Sequence, residues 1–207
     1  MKSNNSYLPL NETLQTIKNR RSIRVFTKEE VHDGQIAVLL EAANEAPSAH
    51  NQQSWRFIVL RGQKKQELSD MVTARSDGFP RPASTLLRMA ARSIATAPVV
   101  IAVANTGGLI AHGTELFKVN KEMANDFFRT MEIQSSAAAV ENMLLAATSV
   151  GLATVWLGIL FLIKNEVLQF LGEPAGEFMA VVPVGYAARS GSGPQKEPFE
   201  MKVRYLD

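Results

Sequence analysis

The chain has 207 residues, 46% of them hydrophobic and 20% charged, which suits one medium globular domain with a sizeable core. Lys and Arg number 22 against 20 Asp and Glu, and a formal charge of +2 is too even to argue for a nucleic-acid binder. With no cysteine, disulfides, thiolate chemistry and cysteine-bound zinc or iron–sulfur sites are excluded, and a cytoplasmic protein is expected.

Met1–Pro9 is polar and has no apolar run of signal-peptide length. Asn11 is placed to cap a first helix with Leu14 and Ile17 as its apolar positions. That helix runs into the basic stretch Arg20-Arg21-Ser22-Ile23-Arg24. A second helix from about Asp33 carries Ile36, Leu39, Leu40 and Ala43 at helical spacing and must end before Pro47. Trp55–Leu60 reads as a strand, and helices are expected over 63–72 and 84–96 with a loop over 76–82. Pro98–Ala104 is a continuous apolar run that suits a central strand.

Residues 105–112 read as a Gly-rich loop and 115–129 as a helix. The helix over 132–150 is apolar nearly all round, so it is buried in a core or at a subunit interface. Met143–Ile163 is uncharged and long enough to span a membrane, but Gly151 divides it. We read it as a buried helix followed by a buried strand over 153–157, with no membrane association. A further helix opens at Lys164 or Asn165, Phe178–Tyr186 is a last strand, and the tail ends in an extended arm over 199–205. Strands alternate with helices, and neither repeat nor linker interrupts them, so residues 1–207 form one α/β or α+β domain.

Four stretches carry chemistry. Three guanidiniums and a hydroxyl between Arg20 and Arg24 match the oxygens of a phosphate, the alternative being a solvated basic face. Ala46–Trp55 places Asn51, Gln52 and Gln53, which both donate and accept, on a loop between rigid elements, as the edge of a polar ring requires. Gly158 at a strand end lets a backbone approach a ligand, although strand termination explains it equally well. Lys196, between Pro194 and Pro198, is either a phosphate contact or an ordinary loop lysine. His32, His50 and His112 are far apart in sequence, without metal-ligand spacing.

In order and spacing these stretches resemble the nitroreductase family along nearly the whole chain. The family's Arg-Arg-Ser-x-Arg-x-Phe is matched by Arg20–Phe26, and its Ala-Pro-Ser-x-x-Asn-x-Gln-Pro-Trp by Ala46–Trp55, with Ser54 in place of the usual proline. Gly151–Gly158 matches Gly-Leu-x-Thr-x-Trp-x-Gly, and Pro183–Tyr186 matches Pro-x-Gly-Tyr. Two further positions depart: Pro194 stands where a second basic residue is frequent, and Ser135 where an acidic residue is frequent.

The resemblance implies an α+β fold, a three-layer α/β/α sandwich domain-swapped into a homodimer with FMN at each subunit interface. Arg20, Arg21, Ser22 and Arg24 would hold the FMN phosphate, ribityl chain and ring edge. Lys196 would sit on the phosphate, and Leu157 and Gly158 at the ring, with a backbone N–H aimed at the reactive nitrogen. Pro47, Ser48, Ala49, His50 and Asn51 would come from the partner subunit. The implied reaction is ping-pong transfer from NAD(P)H to a small acceptor such as a nitroaromatic or quinone, with no side chain required as acid or base. Residues 105–129 would shape the acceptor pocket, with Phe117, Phe127 and Phe128 either stacking on an aromatic acceptor or filling the core. Flavin consumption, reductive dehalogenation and non-catalytic flavin storage remain open on the same fold.

Overall fold

The computed structural model describes residues 10–189, 193, 194 and 196–206. The polar start Met1–Pro9, the Ser190–Ser192 part of the tail, Gln195 and Asp207 lie outside the described residues.

Asn11 caps α1 (Glu12–Asn19) by accepting from the Leu14 N–H at 2.9 Å, and Arg20 leaves it in extended geometry. No residue of α1 is buried within the single chain, which leaves Leu14 and Ile17 exposed. Helix α2 (Asp33–Asn44) opens with a capping box between His32 and Gln35 and ends ahead of Pro47.

Four strands, β1 (Trp55–Arg61), β2 (Val99–Asn105), β3 (Ala153–Thr154) and β4 (Glu177–Gly185), form one antiparallel sheet in the order β1-β2-β4-β3. The pleat sends alternate side chains to opposite faces. Val100, Ala102 and Ala104 join one core with α3 (Gly62–Ser76), α4 (Arg81–Thr96) and α7 (Lys164–Phe170). Val99, Ile101 and Val103 join the other with α2 and the long α6 (Lys121–Ser149). Fully buried side chains such as Leu39, Ile101 and Met143 each stabilise this arrangement by roughly 1.5–3 kcal/mol. The result is the three-layer α/β/α sandwich expected of the resemblance.

Local differences have physical causes. The expected loop over 105–112 instead starts α5 (Gly108–Phe117), which Gly107 enters at φ 76°. The expected helix over 115–129 is split, because Lys118 adopts a left-handed conformation and Asn120 then caps α6 by accepting from the Met123 N–H at 2.9 Å. The central helix therefore begins at Lys121 rather than near Glu132.

The expected strand over 153–157 is paired with β4 only at Ala153 and Thr154, after which the chain leaves the sheet edge for a 3₁₀ turn over Gly158–Ile163. Within the tail, Phe199–Lys202 is a 3₁₀ turn rather than extended. Gly151, at φ 77°, interrupts the uncharged run, and among the described residues no helix is long and apolar enough to cross a membrane.

Helix α5 lies on α6 through a small cluster of Leu109, Ala124 and Phe128. A Cβ at Gly113 would stand 2.4 Å from the buried Phe128 ring, so the contact needs glycine there. Gly113→Ala should therefore lower stability by about 1–3 kcal/mol despite alanine's better helix propensity, read as a drop in unfolding midpoint in urea.

Candidate flavin site

The basic stretch is fixed as an additional edge beside β3. Ser22 bridges to Thr154, and the Ile23 N–H donates to the Thr154 carbonyl at 2.9 Å. The Thr27 N–H donates to Tyr186 O at 2.9 Å, and the Ala188 N–H returns to Val25 O at 3.1 Å. Held this way, Arg20, Arg21, Ser22 and Arg24 line one cleft of about 880 Å³ together with Lys196.

The Arg20 Nε lies 3.5 Å from Glu141, and Arg21 donates to the carbonyls of Lys18 and Arg20. Arg24 and Lys196 have no acidic partner among the described residues. A Cβ on Gly193 would fall 2.8 Å from Arg21 Cδ, so glycine lets the tail pass close over that guanidinium. Five cations line this cleft, Lys18 with Arg20, Arg21, Arg24 and Lys196, and together they form an anion cradle.

Arg24 also lines a second cavity of about 150 Å³ whose floor is Val155–Ile159 and whose wall is Leu86, Met89 and Ala90 of α4. Leu157 and Gly158 are both there. The Leu157 N–H is already used, donating to Val181 O at 2.9 Å. Gly158 opens the 3₁₀ turn, whose first amides lack partners within it, so its N–H is a candidate donor here. A charged end and an apolar flat end meeting at Arg24 suit a phosphorylated, ring-bearing cofactor such as FMN.

Pro47, Ser48, Ala49, His50 and Asn51 line neither cleft of their own chain. Their loop is nevertheless tightly specified. His50, Asn51 and Gln53 have φ of 54°, 52° and 47°, a left-handed geometry that side chains seldom adopt and that functional loops retain. Ser48 Oγ accepts from the Gln53 N–H at 3.1 Å, and Ser135 on α6 accepts from the Ala49 N–H at 3.1 Å. Ser135, one of the departures from the family pattern, thus pins the loop.

The His50 ring meets His112 and Phe117 of α5 edge-on at 5.7 and 5.9 Å between centroids. Phe117 and Phe127 are more than half exposed, whereas Phe128 is core. His32 caps α2, and among the described residues no cluster of His, Asp and Glu fits a metal.

Sequence reading missed a buried polar group beneath this loop. Glu132, Asn105, Ser54 and Ser136 are almost wholly enclosed. Glu132 Oε1 accepts from the Leu109 N–H at 3.3 Å, and the Ser136 hydroxyl donates to Asn105 Oδ1. Burial, and secondarily the charge of Glu177, raises the Glu132 carboxyl above the ordinary carboxylate range. Its position on α6 facing β2 follows from the fold. Leu86 and Met89 were equally hidden, since apolar residues on a helix do not announce a pocket.

The model of the nitroreductase family matches residues 17–186. The chain belongs to that family. An Archaeoglobus fulgidus protein named "Putative NADH dehydrogenase/NAD(P)H nitroreductase" is 33% identical over 182 residues, 86% of each chain. The Thermus thermophilus NADH dehydrogenase is 29% identical, over 95% of this chain and 97% of its own. A Desulfovibrio desulfuricans protein, provisionally named a nitroreductase and solved with FMN, is 30% identical with a TM-score of 0.72, covering 96% of this chain and 99% of its own. Lactococcus lactis CinD shares the fold, with a TM-score of 0.77 at 19% identity over 94% and 99% of the two chains.

The strain in the 50–53 loop is measurable. Gln53→Gly should leave stability unchanged or raise it by up to about 1 kcal/mol, whereas Gln53→Val should cost about 1–2 kcal/mol, both from chemical denaturation. Equal effects would contradict the left-handed assignment.

Proposed function

We propose that this member of the nitroreductase family is an FMN-dependent NAD(P)H oxidoreductase that reduces small nitroaromatic, quinone or related acceptors. The observation that carries it is the cleft where Arg20, Arg21, Arg24 and Lys196 come together, which shares Arg24 with an apolar cavity. The FMN complex of the Desulfovibrio desulfuricans relative and the NADH dehydrogenase name of the Thermus thermophilus relative support the same reading.

In this assignment the guanidiniums and Lys196 neutralise the phosphate, with Ser22 donating to it or to the ribityl chain. Trp156, Leu157 and Gly158, which line the apolar cavity, would hold the ring, and the Gly158 amide, rather than the engaged amide of Leu157, would serve its reactive nitrogen. Bound FMN would supply the two-electron chemistry between NAD(P)H and an acceptor. The chain binds, orients and provides positive potential, which favours an electron-rich ring.

As the resemblance implies, residues Pro47–Asn51 would serve the cleft of a partner in a homodimer, and in keeping with that they line neither cleft of their own chain. His112, Phe117 and Phe127 then stand over that pocket and form a wall for planar acceptors. Nucleotide and acceptor use this wall in turn, which makes the cycle ping-pong. The complementary surfaces are the exposed side of α1 and the C-terminal arm, with Phe199, Met201 and Tyr205 exposed in the single chain.

Purified protein should be yellow and bleach anaerobically with NADPH or NADH, then recover colour with a nitroarene or quinone. A yellow protein that no nicotinamide bleaches would indicate a flavin carrier instead. Replacing Arg20 and Arg24 together by Ala should weaken FMN binding by roughly tenfold or more per guanidinium, from fluorescence titration. Full retention of flavin by the double variant would refute the phosphate assignment.

A further inference from the structure

Three site-bearing segments converge on one buried point. Ser54 follows the strained loop, Asn105 ends β2 just ahead of α5, and Glu132 projects from α6. Ser54 is 6% exposed, Asn105 0% and Glu132 1%. One atom of each, Ser54 Oγ, Asn105 Nδ2 and Glu132 Oε2, lacks a hydrogen-bond partner. Buried polar atoms are seldom left unpaired without a use.

The other sides of these residues are anchored. Glu132 Oε1 receives the Leu109 amide, Asn105 Oδ1 receives the Ser136 hydroxyl, and Ser54 O receives the Thr106 N–H at 3.0 Å. Ser54 Oγ also stands against the first residue of α5, since a Cβ on Gly108 would lie 3.1 Å from it. The Ser54 hydroxyl and the Gly107 amide already lie near enough to the Glu132 carboxyl to favour its charged form, although only the Leu109 amide meets it in full hydrogen-bond geometry.

We propose that Glu132 is a positioning residue that, with Ser54 and the amides at the start of α5, latches α5 onto the 47–53 loop. The latch sets where His112 and Phe117 stand and so fixes the acceptor wall. That consequence for the acceptor rests on the function proposed above. The latch itself does not.

The latch is sensitive to charge. The charged group acting on Glu132 is Glu177 of β4. Arg129 is paired with Glu177, which leaves no cation for Glu132 among the described residues. Burial and the Glu177 charge favour the neutral carboxyl, and the amides of Leu109 and Gly107 with the Ser54 hydroxyl only partly oppose them. A carboxyl raised in the closed arrangement binds its proton more tightly there than in water. The closed latch is therefore strongest below the ordinary carboxylate range and weakens as pH rises through the raised value.

The test is hydrogen exchange on the full-length holoprotein, following amides 107–117 from about pH 5 to about pH 8 with rates corrected for intrinsic exchange. Wild-type protection should fall several-fold across this range, while Glu132→Gln, neutral and nearly isosteric, keeps it level. Ser54→Ala should lower protection throughout. In steady state the acceptor KM of the wild type should rise with pH at nearly constant kcat, and Glu132→Gln should flatten that rise.

If the wild type and Glu132→Gln show the same pH dependence of protection, the latch is wrong. If Glu132→Gln does not fold, Ser54→Ala decides by the same exchange measurement, and unchanged protection there overturns the latch. A flavin that no nicotinamide reduces would sink the reductase reading while leaving the exchange result to stand on its own.

Discussion

Every residue of β2 is buried, and the strand contributes alternately to two cores. A strand covered on both faces must be apolar throughout, and Val99–Ala104 is. This constraint places α2 and α6 on one side of the sheet and α3, α4 and α7 on the other. It also leaves Asn105, the polar end of β2, enclosed with Ser136 and Glu132. The site-bearing segments lie at the limits of this sandwich: the basic stretch along the β3 edge, and the loop and α5 around the end of β2.

The short β3 matters for the same reason. Because pairing stops at Thr154, the chain from Val155 to Ile159 turns away and becomes the floor of the small cavity. The same edge that β3 leaves open takes up Ser22 and Ile23, so one interruption in the sheet creates both the cation cradle and the apolar floor. Backbone hydrogen bonds position the cradle, where Arg20 meets Glu141, Arg21 meets two carbonyls, and Arg24 has no acidic partner among the described residues.

Much of this was legible in the residues. Asn11, the Pro47 stop, the apolar run of β2 and the small-residue helix gave the core elements because capping, proline geometry and burial act locally. The cation cluster was legible because three arginines fall within five positions. The α5–α6 boundary was not, since it depends on Lys118 taking a left-handed conformation that nothing local demands. Glu132 was not either. Its role arises from Ser54 and Asn105, which meet it only once the sheet and α6 are packed. The resemblance supplied the assignment of Pro47–Asn51 to a partner, and the single chain is compatible with it, since those residues line neither of its clefts.

The central claim is that each flavin site is built from the cradle of one chain and the 47–51 loop of another. The most direct measurement mixes two variants, one carrying Arg20→Ala with Arg24→Ala and the other His50→Ala with Asn51→Ala, each impaired alone, and reads reductase activity per isolated heterodimer. Segregation of both defects into one site should restore one working site, so activity should reach about half that of the wild-type dimer, by the one-of-two-sites symmetry of a closed pair. Activity no higher than that of either variant alone would place the loop and the cradle in the same chain's site and contradict the account.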